Sequence, residues 1–199
     1  MRSILTMLGI LSVLFALSYC TSKNEPDSAK EQSTSQKTEL TDQELIAEGE
    51  YLVTIMGCND CHTPKKFGPN GPELNMDLLL SGYPGDREVM KADQGALRKN
   101  WVIMTPDLTH AVGPWGASFS ANLTPDPTGI GSWTEEQFKT ALKHGKFKGM
   151  ENGRTLLPPM PWQNFTNLRD EDAKAIFAYL KSIKPVKNVV PAPIPPDDL

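Results

Sequence analysis

Cysteine and histidine are scarce in this chain, which has three of each among its 199 residues. Cys58, Cys61 and His62 stand together in one short run. The remaining three, which are widely separated, are Cys20, His110 and His144. A structural zinc site needs four such ligands at close spacing. The short run therefore has too few neighbours to form a zinc site and needs another explanation.

An excess of positive charge is also absent. The 20 Lys and Arg residues are outnumbered by 24 Asp and Glu residues, and the formal net charge is −4. Nucleic acids and anionic membrane surfaces attract basic patches. An acidic chain without such a patch argues against nucleic-acid binding and against electrostatic adsorption to a membrane.

The run Cys58-Asn59-Asp60-Cys61-His62 has the Cys-x-x-Cys-His pattern that attaches a c-type haem. On a helical turn its two thiols and its imidazole leave the same face. The thiols would form thioethers with the haem vinyl groups, and the imidazole would be the proximal iron ligand. A thioredoxin-like dithiol would instead follow a strand in a βαβ pattern, which is not seen here. Because the motif occurs once, the sequence predicts one covalent haem c.

The N-terminal segment has the features of a secretory signal, since residues 1–19 are almost entirely apolar but short for a membrane span. Residues 17–20 resemble a bacterial lipobox, although Tyr19 stands where a small residue is usual. We therefore predict a lipoprotein signal peptide over residues 1–19 and lipidation of Cys20. The alternative is cleavage after Ser18, which would leave Cys20 as a free thiol.

Composition divides the rest of the chain into three parts. Residues 20–40 are polar and nearly free of apolar side chains, which predicts a flexible linker. Residues 41–185 are long enough for one domain with a single core. Residues 186–199 contain several prolines, which cannot continue a helix, so we expect an extended or disordered tail.

Three segments carry helical signals. Capping boxes begin one helix at Thr41 and a second at Thr134, and the first helix leads into the haem motif. The third helix is expected over about 170–183, where apolar residues recur at three- and four-residue spacing. Between about 64 and 132 glycine and proline are frequent, which predicts loops with a short helix or hairpin. The predicted fold class is all-α, with this segment as a long loop insertion.

This order of elements, together with several short strings, resembles class I cytochromes c, and in particular the cytochrome c domains that serve bacterial periplasmic dehydrogenases. The strings are Cys61-His62-Thr63-Pro64, Asn122-Leu123-Thr124-Pro125-Asp126, Thr128-Gly129-Ile130-Gly131-Ser132-Trp133-Thr134, Leu157-Pro158-Pro159-Met160-Pro161-Trp162 and Ala178-Tyr179-Leu180. The resemblance covers about residues 41–190 and implies that a small residue on the first helix faces an aromatic residue on the last. Gly49 fits the first position, and Tyr179 or Phe177 fits the second. Arg169 departs from the family, which more often has a Ser or Thr cap there.

The same resemblance implies that Met160 is the distal thioether ligand of the haem iron. Its proline neighbours suit that role, because proline fixes φ and lowers the freedom lost when the ligand is positioned. The alternative is that Met160 packs in the core, as most methionines do. His110 and His144 are the rival ligands, although a histidine at a helix end is favoured by the helix dipole without binding anything.

Other residues are candidates for supporting roles. Asn122, Thr124 and Arg154 are expected to bind the haem propionates, which need polar partners when buried. For these three residues, turn formation or simple solvation is the alternative. Candidates for packing against the porphyrin or against His62 are Trp133, Trp162 and Pro64. A docking rim around an exposed haem edge would use Lys65, Lys66, Lys143, Lys146 and Lys148, which otherwise are ordinary solvated lysines.

Three functions are compatible with these features. Ligation by His and Met suits one-electron transfer, so we predict a monohaem electron carrier, not an enzyme. It would pass electrons from a dehydrogenase to a respiratory acceptor and be anchored by lipid in the bacterial periplasm. The second candidate is a haem enzyme or gas-binding domain with an open or labile sixth ligand. The third is a structural lipoprotein without haem, in which Cys58 and Cys61 form a disulfide.

Overall fold

The computed structural model describes residues 40–199. The predicted signal peptide, the predicted lipidation site at Cys20 and the linker up to residue 39 lie outside the described residues, so these interpretations stay predictions. Within residues 40–199, none of the helices combines the length and the apolar character that a membrane crossing requires.

The predicted helices are confirmed. The α-helices of residues 40–199 are α1 (Asp42–Ile55), α2 (Cys58–His62), α3 (Gln94–Leu97), α4 (Glu135–His144) and α5 (Asp170–Ser182). Both capping boxes are formed, with Thr41 at the start of α1 and Thr134 at the start of α4. Arg169 gives α5 no side-chain cap. Its guanidinium instead binds the Asp172 carboxylate through two hydrogen bonds of 2.8 and 2.6 Å.

The crossing of α1 and α5 organises the core. Gly49 is buried at the crossing, where an added Cβ atom would lie 2.0 Å from the Ala175 carbonyl oxygen and 2.7 Å from Cβ of Tyr179. Tyr179, rather than Phe177, is therefore the aromatic residue that faces the glycine. The buried cluster around this crossing comprises Leu52, Val53, Leu80, Ile130, Phe138, Leu142, Ala175, Ile176, Tyr179 and Leu180.

The all-α prediction is wrong, because the segment between α2 and α4 contains two small sheets and the fold is mixed α and β. The first sheet pairs β1 (Lys65–Gly68) with β2 (Gly71–Leu74). The second contains β3 (Ile103–Met104), β4 (His110–Gly113) and β5 (Gly116–Phe119) in that order, and all neighbouring strands are antiparallel.

The sequence analysis allowed for a short helix or hairpin in this segment but located none of these strands, because each is only two to four residues long. A strand is normally recognised from alternation over four to eight residues, and β4 is buried along its whole length and does not alternate. The sequence feature that could have located these hairpins is the glycine at each turn. Gly71 and Gly116 have φ values of 105° and 94°, which glycine adopts without strain, and each closes a hairpin.

The proline-rich tail is hydrogen-bonded to the rest of the described chain. Ile194 exchanges two backbone hydrogen bonds with Ala117 of β5, at 2.8 and 3.1 Å. Nearer to α5, the side chain of Asn188 binds backbone groups within residues 81–85. At the end of the tail, Pro196–Asp198 form a short 3-10 helix, so the tail is not extended throughout.

Replacement of Asn188 by alanine is expected to lower the free energy of unfolding by about 2 kcal/mol. Its side-chain amide donates to the carbonyl oxygens of Ser81 and Tyr83 at 2.7 and 2.9 Å, and its oxygen accepts from the Gly85 amide at 2.8 Å. Denaturant unfolding of the haem-loaded protein measures the loss. Asn164→Ala, at an exposed position, is the control, and equal losses in the two variants would contradict the role given to Asn188.

Candidate haem site

The haem motif follows α1 after a sharp break in the helix. Gly57 has a φ of 70°, in the left-handed region that glycine adopts freely. The chain therefore turns and starts α2 directly at Cys58, so that both cysteines and His62 lie within one short helix. The Cys58 and Cys61 thiols are free and partly buried. The structure does not contain the disulfide that the third functional interpretation required.

Burial disfavours the thiolate form of both cysteines. Burial raises the pKa of Cys58 to about 11, and burial also raises the pKa of Cys61. Dithiol oxidoreductases and zinc sites depend on thiolates, which a lowered pKa favours. In residues 40–199, moreover, no three His, Cys, Asp or Glu side chains converge on a position that could hold a metal ion. The raised pKa values do not favour a dithiol oxidoreductase, whose chemistry needs a thiolate.

The His62 ring is held in one tautomer. Its Nδ1 lies 2.8 Å from the carbonyl oxygen of Ala121. A carbonyl oxygen can only accept, so Nδ1 carries the proton and Nε2 keeps the lone pair that an iron ligand needs. Burial lowers the pKa of His62 despite the opposing effect of this hydrogen bond. The imidazole is therefore neutral and oriented for ligation.

The Ala121 carbonyl was missed by the sequence analysis, because a backbone acceptor carries no side-chain signal. Its position depends on the close approach of Gly82, where an added Cβ atom would lie 2.6 Å from the Ala121 oxygen and 2.4 Å from the Ser120 oxygen. The Gly82 amide in turn donates to the His62 carbonyl oxygen at 2.8 Å. The glycine thus brings the two segments close enough for the imidazole to reach its acceptor.

Met160 is partly buried and packs against the same core cluster as Cys58. The fold thus brings the methionine loop and the haem motif, which are far apart in sequence, to one apolar region. His110 lies elsewhere in the fold, in β4, where it is only 4% exposed and stacks on Phe119 at 4.6 Å between ring centroids. His144 is exposed at the end of α4. The assignment of Met160 as the iron ligand stays a prediction.

The residues fit a c-type haem. The site supplies two unpaired thiols, an imidazole with an available nitrogen and a thioether, which are the donors that such a haem uses. Apolar surroundings are present as well, because several partly buried side chains border the core cluster. They include Met56, Leu79, Leu123, Trp133, Phe165 and Leu168.

Comparison with known proteins agrees with this geometry. Residues 46–184 match the family model described as cytochrome c. The chain belongs to the cytochrome c family. The family implies a covalently bound haem c, and the resemblance inferred from the sequence is confirmed.

Three relatives show where similar cytochrome c domains occur. The gluconate 2-dehydrogenase cytochrome c subunit of Pantoea cypripedii is 43% identical over 144 residues, which are 71% of this chain and 24% of the relative. The fructose dehydrogenase cytochrome subunit of Gluconobacter japonicus is 32% identical over 143 residues, 71% of this chain and 22% of the relative. The alcohol dehydrogenase (quinone) cytochrome c subunit of Gluconobacter oxydans is 31% identical over 147 residues, 73% of this chain and 23% of the relative. This cytochrome c therefore spans less than a quarter of the length of these relatives.

The predicted propionate partners have other contacts in this cytochrome c. The Asn122 amide nitrogen lies within hydrogen-bond distance of Thr128, Val186 and Asn188, and its oxygen accepts from the Thr124 amide and hydroxyl at 2.9 and 2.8 Å. Asn122 is 4% exposed and joins the start of the tail to the domain. Its role towards a propionate stays a prediction, and so does that of Thr124.

Arg154, the third propionate candidate, is exposed. Its guanidinium carbon lies 3.9 Å from the centroid of the Phe147 ring, and Nη1 donates to the Thr155 carbonyl oxygen at 3.0 Å. This packing holds the side chain against the loop that precedes Met160. A contact with a propionate stays a prediction here too.

The remaining candidates are also placed. Trp133 borders the core cluster, Pro64 is buried beside the haem motif, and the Trp162 ring packs on Gly145 at the end of α4. Of the five lysines, four have side-chain partners in the structure, and one of these is Lys148, whose Nζ lies 5.6 Å from the centroid of the Phe147 ring. Lys65 donates to the Asp60 and Asp107 carbonyl oxygens, Lys66 pairs with Asp77, and Lys143 pairs with Asp170.

Proposed function

We propose that this cytochrome c holds one haem through Cys58 and Cys61, with His62 and Met160 as axial ligands, and acts as a one-electron carrier rather than an enzyme. The observation that carries the proposal is the position of Met160, which packs against the same core cluster as Cys58. Met160 would then supply the thioether that, with the His62 imidazole, holds the iron.

Residues of this chain position the two proposed axial ligands. The Ala121 carbonyl holds the His62 ring so that Nε2 is free to ligate. Proline residues on both sides limit the conformations of Met160. When bound, the haem would supply reversible one-electron chemistry, and ligation by Met160 together with His62 would raise its reduction potential. If His62 and Met160 both ligate the iron, no position would remain for a substrate, which suits electron transfer rather than catalysis.

The proposed electron donor is a dehydrogenase, because the relatives described above are named as dehydrogenase subunits. The proposed acceptor is a respiratory protein. The apolar segment at residues 1–19 supports export to the bacterial periplasm. Lipidation of Cys20 would then anchor the domain to a membrane. We do not expect nucleic acid as a partner, given the formal net charge of −4.

The test is the absorption spectrum of the oxidised full-length protein matured with haem, with and without the substitution Met160→Ala. The wild type is expected to show the thioether–iron charge-transfer band and no binding of carbon monoxide after reduction. Met160→Ala is expected to lose the band completely and to bind carbon monoxide, because the sixth position is then open. Met150→Ala is the matched control, since Met150 is 51% exposed in a nearby loop.

Other spectra would support a different sixth ligand or a different function. A band that survives in Met160→Ala would transfer the ligand role to a different methionine, whereas a bis-histidine spectrum would implicate His110 or His144. A wild-type protein that is high-spin and binds carbon monoxide would support the haem enzyme or gas-binding domain instead. Mass spectrometry of the same preparation counts the haems, and a mass increase of more than one haem would contradict the monohaem assignment.

A further inference from the structure

The loop that carries Met160 has few groups with which to attach itself to the rest of the protein. Pro158, Pro159 and Pro161 have no backbone N–H. Leu157 and Met160 have apolar side chains. Of residues 157–161, only Leu157 and Met160 can therefore donate a hydrogen bond, each through its backbone N–H, and the loop otherwise depends on packing and on hydrogen bonds to its carbonyl oxygens.

One such bond comes from the β5 strand of the second sheet. The Ser118 hydroxyl donates to the Pro158 carbonyl oxygen at 2.6 Å. Among the residues that the structure describes, this is the only hydrogen bond that joins residues 157–161 to a distant part of the chain. Ser118 is 9% exposed, so water competes little for this bond.

Neighbouring groups orient the Ser118 hydroxyl. Trp115 Nε1 donates to Ser118 Oγ at 3.2 Å, and the Trp115 ring lies directly on Gly113 at the other side of the hairpin turn. A hydroxyl has one proton. The Ala111 carbonyl oxygen is 3.4 Å away and competes weakly for it, which leaves the proton directed at Pro158.

The same segment of chain also supports the opposite axial ligand. Three residues after Ser118, the Ala121 carbonyl accepts the Nδ1 proton of His62. Ala117, the residue before Ser118, exchanges two backbone hydrogen bonds with Ile194 of the tail. One braced segment thus contacts both His62 and the loop of Met160.

From this arrangement we infer that Ser118, oriented by Trp115, is a positioning residue for Met160. Its hydrogen bond to the Pro158 carbonyl, called here the Ser118–Pro158 bond, restrains the methionine loop and thereby sets how readily Met160 leaves the iron. The inference rests on the proposed function, because it requires Met160 to be the sixth ligand. Ser118 would act through the Pro158 carbonyl and not as an iron ligand.

Displacement of Met160 by imidazole tests this role in the oxidised, haem-loaded, full-length protein. Added imidazole binds the iron in place of the thioether, and loss of the charge-transfer band reports the exchange. In Ser118→Ala the imidazole concentration for half displacement is expected to fall about fivefold, as for the loss of one hydrogen bond. The midpoint potential is expected to fall as well, because weaker thioether ligation favours the ferric state. Ser120→Ala is the matched control, since the Ser120 side chain makes no hydrogen bond within the described residues.

Trp115→Phe provides a second variant that keeps an aromatic ring over Gly113 and leaves Ser118 in place. It is expected to shift the imidazole titration in the same direction by a smaller factor. The inference is contradicted if Ser118→Ala needs the same imidazole concentration for half displacement as the wild type and Ser120→Ala. This holds even if the thermal midpoint of unfolding of Ser118→Ala is lower. A wild-type spectrum without the thioether band is a distinguishable outcome. It would contradict the proposed function and, with it, the positioning role of Ser118.

Discussion

Denaturing gels of the double variant Cys58→Ser, Cys61→Ser are expected to show no haem-stained band at all. Both thiols are free and lie with His62 on the single short helix α2. Without the thioethers only axial ligation and packing would hold the haem, and denaturation removes both. The expected change is complete loss of covalent haem, measured by haem staining and by intact-protein mass.

The control for this experiment is Asp60→Ala, between the two cysteines, where the side chain is exposed. This variant is expected to keep full staining. Staining that survives in the double serine variant would show that haem is attached elsewhere. A wild-type protein without any stain would instead revive the interpretation of a structural lipoprotein.

Gly49→Ala is expected to lower the free energy of unfolding by about 2 to 3 kcal/mol, although alanine is the better helix former. The gain in helix propensity is about 1 kcal/mol. Against it stands the overlap of the new Cβ atom with the Ala175 carbonyl oxygen, only 2.0 Å away. Backbone cannot rotate aside as a side chain can, so α5 must move away from α1 and the core beneath the crossing opens.

Gly68→Ala is the matched control for this prediction, because no atom lies within 4 Å of the position of its added Cβ. Denaturant unfolding, followed by circular dichroism on haem-loaded protein, compares the two variants. The close crossing of α1 and α5 would not be the constraint proposed here if both variants unfolded within about 0.5 kcal/mol of the wild type.

The segment between α2 and α4, which the sequence analysis treated as a loop insertion, contributes hydrogen-bonding groups to the candidate site. It contributes the Ala121 carbonyl that orients His62 and the Ser118 hydroxyl that reaches the methionine loop. The tail reaches back to the same segment through Ile194. Parts of the chain without a haem-binding signature therefore brace both sides of the candidate site.

Local information in the sequence was enough for the features that depend on neighbouring residues. The Cys-x-x-Cys-His run predicts haem attachment from five consecutive residues, without information from the rest of the fold. Thr41 and Thr134 begin their helices because the bonds of a capping box span only three residues. The resemblance to cytochromes c also rests on short strings, and the family match confirms it.

Only the tertiary structure decided the features that join distant segments. Strands as short as β3 derive their stability from partners across a sheet, so their own residues carry no period to read. The choice of Tyr179 over Phe177 depended on how two helices cross. The acceptor of the His62 proton and the carbonyl bound by Ser118 are backbone atoms. Every residue has such a carbonyl, so composition and spacing cannot distinguish these two, and only folding selects them.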